Sequence, residues 1–162
     1  MVEPNQEQPA AAEPKEDFNW PPLESDPELF SEYMRKIGLP EPYNFAELFG
    51  MDEELLCMVP QPVDAVIAGV AVQKKAEDRA KGDLSNKHAF YMKQTNVLDN
   101  ACGIIACLHS IFNNVGADKI KLDEGSLLEQ YFKKVEGLST PEERSTQLEN
   151  FAEFKEEYKS RA

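Results

Sequence analysis

An apolar helical run behind a polar loop, between residues 90 and 114, constrains the fold more than any other stretch. The run begins near Cys102 and continues to about Asn113, with Ile, Leu and Phe on most sides of the expected helix. A helix that is apolar around most of its circumference is stable only when other elements cover it. The sequence therefore predicts a buried, central helix around which the remaining elements pack.

The residues before this helix indicate a reactive thiol at its N-terminus. Asp99 or Asn100 is a suitable N-cap, because its side-chain oxygen can accept from the free N–H groups of the first turn, and this places Cys102 in that turn. The helix dipole and the open N–H groups favour an anion there, so a thiolate forms more easily. An amide in the preceding loop, Gln94, could stabilise a developing oxyanion. The competing interpretation is structural, because free cysteines are mostly small buried hydrophobic residues.

Charge and cysteine content narrow the class of protein. The 162 residues suffice for one domain, and their net charge of −13, from 30 acidic and 17 basic residues, argues against nucleic acid and anionic membranes as partners. Three cysteines show no zinc spacing, so we expect no metal and no cofactor. Their odd number, and an N-terminus unlike a signal peptide, predict a cytoplasmic protein, which we expect to be a monomer. Cys57 and Cys107 lie on apolar helical segments, where we expect burial.

Local signals assign the remaining helices. Residues 1–17 are rich in Glu, Pro and Ala and predict a disordered acidic arm. Three start signals predict helices on either side of the central one: Asp26 with Pro27, Ser126 with Glu129, and Thr140 with Glu143. The first of these helices ends at Gly38, and the last can run to the end of the chain.

One stretch predicts a strand. Val63 to Val72 is rich in Val and Ala, and a short apolar run of this kind is typical of a buried strand. It is too short to span a bilayer. Gln73 to Lys87 follows as a charged linker. Together with the helices, this strand predicts an α+β fold that is mostly helical.

Several motifs resemble the ubiquitin C-terminal hydrolases, which are papain-like thiol proteases. The matching motifs are Trp20-Pro21-Pro22-Leu23-Glu24-Ser25-Asp26-Pro27, Met58-Val59-Pro60-Gln61-Pro62-Val63, Phe90-Tyr91-Met92-Lys93-Gln94-Thr95 and Asn100-Ala101-Cys102-Gly103. The resemblance implies a helix-rich papain-like α+β fold over residues 18–162. It also implies deubiquitination, the thiol-dependent hydrolysis at the C-terminal glycine of ubiquitin or of its conjugates.

The same resemblance implies a role for individual residues. Cys102 would be the nucleophile and Gln94 the oxyanion donor. The family spacing puts the amide six positions before the cysteine, whereas Gln94 lies eight before Cys102 and Asn96 lies six before it, so either amide fits. The segment that would contact ubiquitin consists of Pro22, Leu23, Glu24, Ser25, Asp26 and Pro27. The alternative for this segment is an edge strand that only anchors the N-terminus by burying Trp20 and Leu23.

The resemblance covers the first part of the family's domain, about residues 18–155, before the catalytic His, its orienting Asp and the later sheet strands. We therefore expect only the nucleophile half of the site, and an exposed edge at the predicted strand. Of the two histidines, His88 lies in the linker, and His109 lies two helical turns past Cys102, about 10 Å along the axis. A general base has to be about 3 Å away. A fragment of an active hydrolase, a short inactive ubiquitin-binding module and a helical interaction protein are the three interpretations.

Overall fold

A computed structural model describes residues 18, 20–70 and 89–160. In chain order, the helices of this part are α1 (Pro27–Ile37), α2 (Glu53–Leu56), α3 (Cys102–Val115), α4 (Leu127–Val135), α5 (Pro141–Glu149) and α6 (Ala152–Lys159). The predicted central helix is α3, which has 14 residues. The predicted arm, residues 1–17, and the predicted linker, Gln73 to Lys87, lie outside the described residues.

Capping side chains fix the starts of three helices at the predicted positions. Oδ1 of Asp26 accepts from two backbone N–H groups of α1, at 2.8 and 2.9 Å. Thr140 and Glu143 form a reciprocal capping box at α5. Ser126 Oγ accepts from the Glu129 N–H at 3.2 Å, while the Glu129 carboxylate accepts from the N–H of the residue before the cap. Each such cap stabilises a helix by about 1 kcal/mol.

The predicted helix from residue 141 to the chain end is two helices. α5 ends at Glu149, and α6 begins at Ala152, with Asn150 and Phe151 between them. Phe151 is buried at this corner, with its ring 6.4 Å from that of Tyr131 and 6.0 Å from that of Phe154. Packing of Phe151 into the core therefore turns the chain where a single straight helix was expected.

One core surrounds α3, as predicted. Its buried side chains include Ile104, Leu108, Ile111 and Phe112 of α3, and every helix except the short α2 contributes buried residues. The largest fully buried side chains elsewhere are Trp20, Tyr33, Tyr131, Phe154 and Tyr158. Burial of this kind stabilises by about 25 cal/mol per Å² of apolar surface.

The prediction of a buried strand is wrong for residues 63–70, and positions 71 and 72 are not described. No strand occurs within the described part of the chain, and Val66 and Val70 are 70% and 79% exposed. The segment is held at one end, where Asn114 Nδ2 donates to the Asp64 carbonyl at 3.3 Å and Lys119 lies 3.5 Å from the Asp64 carboxylate. A strand needs a neighbour for its backbone N–H and C=O groups, and its apolar composition alone does not supply one. The described fold is helical, and its α+β character stays a prediction.

None of the helices in the described ranges has the length and apolar character needed to cross a membrane.

Candidate active site

Cys102 is the first residue of α3 and is exposed. The expected cap by Asp99 or Asn100 is wrong, because both belong to the turn that closes before the helix, and Ala101 occupies the N-cap without a side-chain hydrogen bond. The Ala101 N–H donates to the Leu98 carbonyl at 3.0 Å, which closes that turn. With alanine at the cap, the first N–H groups of α3 stay open to a negatively charged group beside Cys102.

The start of α3 lies against the segment expected to contact ubiquitin. A Cβ placed on Gly103 would lie 3.4 Å from the Phe30 ring and 3.7 Å from Leu23 Cβ, which is ordinary van der Waals contact, so Gly103 packs directly on both residues. Leu23 is half-buried, whereas Pro22 and most of the remaining segment are exposed. The structure thus brings the thiol helix and the 22–27 segment together.

The chain just before the 22–27 segment is also anchored to α6, which agrees with the anchoring part of the competing interpretation, although residues 20–27 form no strand and Leu23 is only half-buried. Trp20 is fully buried, with its ring 4.8 Å from that of Tyr158. The Tyr158 hydroxyl donates to the Pro21 carbonyl at 2.6 Å. Burial, together with the nearby thiols of Cys102 and Cys107, raises the pKa of Tyr158 above its usual range. The neutral phenol therefore remains a donor to Pro21 beside the start of the segment.

Gln94 lies over the turn that leads to Cys102. Its Nε2 donates to the Asp99 carbonyl at 2.5 Å, and its side chain is exposed. Asn96, the alternative amide, is exposed at the bend before this turn. The structure therefore joins the Gln94 side chain to the turn that precedes the N-cap of α3.

The loop that carries Gln94 is held on one side by α3. Asn113 accepts from the Phe90 N–H at 2.8 Å and donates to the Phe90 carbonyl at 3.0 Å. His109 Nε2 accepts from the Met92 N–H at 3.0 Å. Sequence reasoning missed these two contacts as anchors. The available signal was the pair of polar residues at i and i+4 on an otherwise apolar helix, since such residues share one face.

On its other side the loop is held by α5. Ser145 Oγ accepts from the Lys93 N–H at 3.0 Å and lies 2.5 Å from the Lys93 carbonyl. Arg144 donates to the Tyr91 carbonyl at 2.7 Å. The backbone of residues 90 and 92 therefore bonds to α3, and the backbone of residues 91 and 93 bonds to α5. The backbone of a strand alternates in the same way between its two neighbouring strands. No short-range pattern in the sequence announces these pairs, because Ser145 lies 52 positions after Lys93.

His109 is engaged in this support and is not a base for the thiol. It is half-buried between the rings of Tyr91, at 5.2 Å, and Phe90, at 6.1 Å. Burial lowers the pKa of His109, against a smaller opposing effect of its hydrogen bond to Met92. Nε2 of His109 lies 3.0 Å from the Met92 nitrogen and 3.2 Å from the Met92 carbonyl oxygen, so both of these contacts tie the ring to the loop. The other histidine, His88, lies outside the described residues.

The remaining cysteines differ from each other. Cys107 is fully buried, and burial raises the pKa of its thiol to about 12. The expectation that Cys57 is buried is wrong: it is exposed at the C-cap of α2, a helix with no buried residues. Cys102 and Cys57 are therefore the accessible thiols, and only Cys102 lies at a helix N-terminus.

An exposed thiol at an open helix N-terminus, after a turn that a loop amide contacts, is an arrangement suited to nucleophilic catalysis by cysteine. Comparison with known proteins identifies the family. The model of ubiquitin carboxyl-terminal hydrolase, family 1, matches residues 20–162. The chain therefore belongs to this family, as its motifs predicted.

Named relatives agree with this membership. The chain is 36% identical to ubiquitin carboxyl-terminal hydrolase 3 of Arabidopsis thaliana over 154 residues, which are 90% of this chain and 64% of that protein. It is 35% identical to a probable ubiquitin carboxyl-terminal hydrolase of Dictyostelium discoideum over 141 residues, 82% of this chain and 54% of that one. An Aplysia californica ubiquitin carboxyl-terminal hydrolase is 34% identical over 133 residues, 80% of this chain and 60% of its own length. The chain thus spans little more than half of the relatives it matches.

Proposed function

We propose that this chain acts in deubiquitination, through thiol-dependent hydrolysis at the C-terminal glycine of ubiquitin or its conjugates. Residues 18–162 would form part of the catalytic domain and carry the nucleophile half of the site. The observation that supports this most directly is the exposure of Cys102 at the start of α3, where Gln94 bonds the preceding turn and Gly103 packs on Leu23 of the 22–27 segment. A cytoplasmic monomer that binds no nucleic acid stays a prediction from charge and cysteine content.

In the proposed reaction the Cys102 sulfur attacks the carbonyl carbon of the terminal glycine. The carbonyl oxygen then gains negative charge and needs donors that are already in place. The open N–H groups of the first α3 turn supply one source. Gln94 supplies another, because an amide NH₂ has two N–H groups and the bond to Asp99 occupies one of them. Asn96 stays the alternative donor.

Ubiquitin would lie along the 22–27 segment. Asp26 already uses its carboxylate to cap α1, so its role there is structural as well. Glu24 is exposed and acidic, which suits the arginine-rich tail of ubiquitin. The net charge of −13 attracts the same basic tail over a longer range.

Proton transfer is the part that these residues supply poorly. His109 is held by Met92, and a missing general base lowers a rate by about 10²–10⁴-fold. We therefore expect slow turnover by the 162-residue chain. The same observation favours the alternative function, an inactive module that binds ubiquitin without cleaving it.

Release of a fluorophore from the C-terminal glycine of ubiquitin tests the proposal. We expect slow release that added imidazole accelerates, because imidazole can supply the base. Cys102→Ala should abolish this release, and Cys57→Ala, which removes the other exposed thiol, should leave it unchanged. Release that survives Cys102→Ala would contradict the proposal. Ubiquitin binding with no release even in imidazole would establish the inactive binding module instead.

A further inference from the structure

We propose that one face of α5 sets the position of Gln94, with Ser145 and Glu149 as positioning residues. This inference rests on the proposed role of Gln94 as oxyanion donor and extends it to residues more than 50 positions away in the sequence. Both residues act through the loop, and neither is assigned a contact with ubiquitin.

The two residues hold the loop on both sides of Gln94. Ser145 Oγ bonds the backbone of Lys93, accepting from its N–H at 3.0 Å. The Thr95 hydroxyl donates to the Glu149 carboxylate. Gln94 lies between these two fixed residues, so its backbone has little freedom to shift.

The spacing of helix and loop explains why both bonds form together. Ser145 and Glu149 are four residues apart on α5 and therefore share one face of the helix. Four helical residues rise about 6 Å. Two extended residues, the separation of Lys93 and Thr95, span about 6.6 Å. The two lengths match, and one face of α5 can bind the loop at both points without bending either element.

The contacts of Ser145 exceed what its own helix requires. A serine inside a helix commonly bonds the carbonyl four residues earlier, and Ser145 does so with Pro141 at 3.0 Å. Ser110 of α3 shows that ordinary arrangement, bonding the carbonyls of Ala106 and Cys107 in its own helix. Ser145 is fully buried and bonds Lys93 in addition. Ser110 therefore provides a matched control for the loss of a helical serine hydroxyl.

Loss of this support should affect the reacting geometry more than ubiquitin binding. The 22–27 segment is held by α6 and α1, through Tyr158 and the cap of Asp26, and not by the α5 contacts described here. Gln94, in contrast, would be free to move relative to the thiol. A displacement of about 1 Å in a catalytic group can reduce a rate by up to about 100-fold.

Ubiquitin that ends in an aldehyde separates the two effects. The Cys102 sulfur adds to the aldehyde carbon, the carbon–oxygen double bond becomes a single bond, and the thiol proton is transferred to the oxygen. Nothing leaves, so the adduct places an oxygen where the oxyanion forms. Its dissociation constant reports on Gln94, and that of unmodified ubiquitin reports on the remaining surface.

We expect Ser145→Ala to weaken the aldehyde adduct by about 10-fold or more, while affinity for unmodified ubiquitin is unchanged. Ser110→Ala should change neither value. Because Ser145 acts through Gln94, its loss should have no further effect in a Gln94→Ala background, where the donor is already absent. Thr95→Val keeps the side-chain shape and removes the bond to Glu149, together with a 3.3 Å bond from the Leu98 N–H, and should behave as Ser145→Ala does.

An adduct that Ser145→Ala leaves as tight as in the wild type would overturn the inference. So would an equal loss with and without Gln94. If thermal melting shows that Ser145→Ala does not fold, Thr95→Val decides between the same outcomes. A wild-type chain that binds neither form of ubiquitin would instead refute the proposed function, and this inference with it.

Discussion

Replacing Tyr158 by Phe removes one hydroxyl and should weaken ubiquitin binding without disturbing the core. The ring that packs on Trp20 at 4.8 Å and on Tyr33 at 5.9 Å is retained. What is lost is the 2.6 Å bond to the Pro21 carbonyl, which anchors the residue just before the 22–27 segment. The substitution therefore isolates the anchor from the packing.

The size of the effect follows from this one bond. A neutral hydrogen bond contributes about 0.5–1.5 kcal/mol net, and a buried acceptor left unpaired costs about 1–3 kcal/mol. Pro21 is half-buried, so water can reach its carbonyl in part. We expect a loss of about 1–2 kcal/mol in the free energy of unfolding. For a chain of this size that lowers Tm by about 2–8 °C.

Binding of ubiquitin should weaken as well, because a looser segment has to be ordered when ubiquitin binds. We expect a dissociation constant about 3- to 10-fold higher, measured by calorimetry with unmodified ubiquitin. Tyr131→Phe is the matched control: it removes a buried hydroxyl that donates to the Arg144 carbonyl at 2.8 Å, away from the segment. It should lower stability to a similar degree and leave ubiquitin affinity unchanged. Equal losses of affinity in both variants, or none in Tyr158→Phe, would refute the reasoning.

Three further outcomes are expected. Gly38→Ala should lower the free energy of unfolding in denaturant by about 3 kcal/mol or more, because φ is 121° and a Cβ would lie 2.1 Å from Ser126 Oγ. Gly125→Ala, at φ 74° with open space around the position, should lower it by about 1 kcal/mol, and equal losses would contradict this. Burial lowers the pKa of His109 below its ordinary 6.5, so the unfolded chain binds the proton first and the free energy of unfolding falls as the pH drops below 6.5. His109→Gln should reduce this loss of stability between about pH 7 and 5, and an unchanged dependence of stability on pH would refute the reasoning. In alkylation of the folded protein, Cys102 should react faster than either other cysteine, and peptide mapping that ranks another thiol first would oppose this.

Helix starts could be predicted from sequence because their causes are local. Asp26, Ser126 and Thr140 each bond N–H groups within three residues, so a short window contains the whole interaction. The end of α5 could not, because Phe151 is drawn into the core by partners that include Tyr131, 20 positions earlier. The prediction that residues 63–70 are buried was wrong for the same reason. Composition shows which residues are apolar, but only the neighbouring elements decide whether those residues are covered.

In the candidate site, too, features with a local cause could be predicted from sequence and features that depend on distant contacts could not. The position of Cys102 at the start of α3 could be read from the point where the apolar helical run begins. The identity of its cap could not, since the turn before the helix takes up Asp99 and Asn100. The frame around Gln94 depends on contacts between distant parts of the chain, and a single sequence gives no measure of such pairings.

Covalent capture by ubiquitin with an electrophile at its C-terminus tests most directly that Cys102 is the nucleophile of a ubiquitin-directed site. We predict one adduct per chain, mapped by mass spectrometry to the peptide that contains Cys102 and abolished by Cys102→Ala. Excess unmodified ubiquitin should slow the capture, and Cys57→Ala should not affect it. An adduct on Cys57 or Cys107, or capture at the same rate by an electrophile that lacks ubiquitin, would contradict the account.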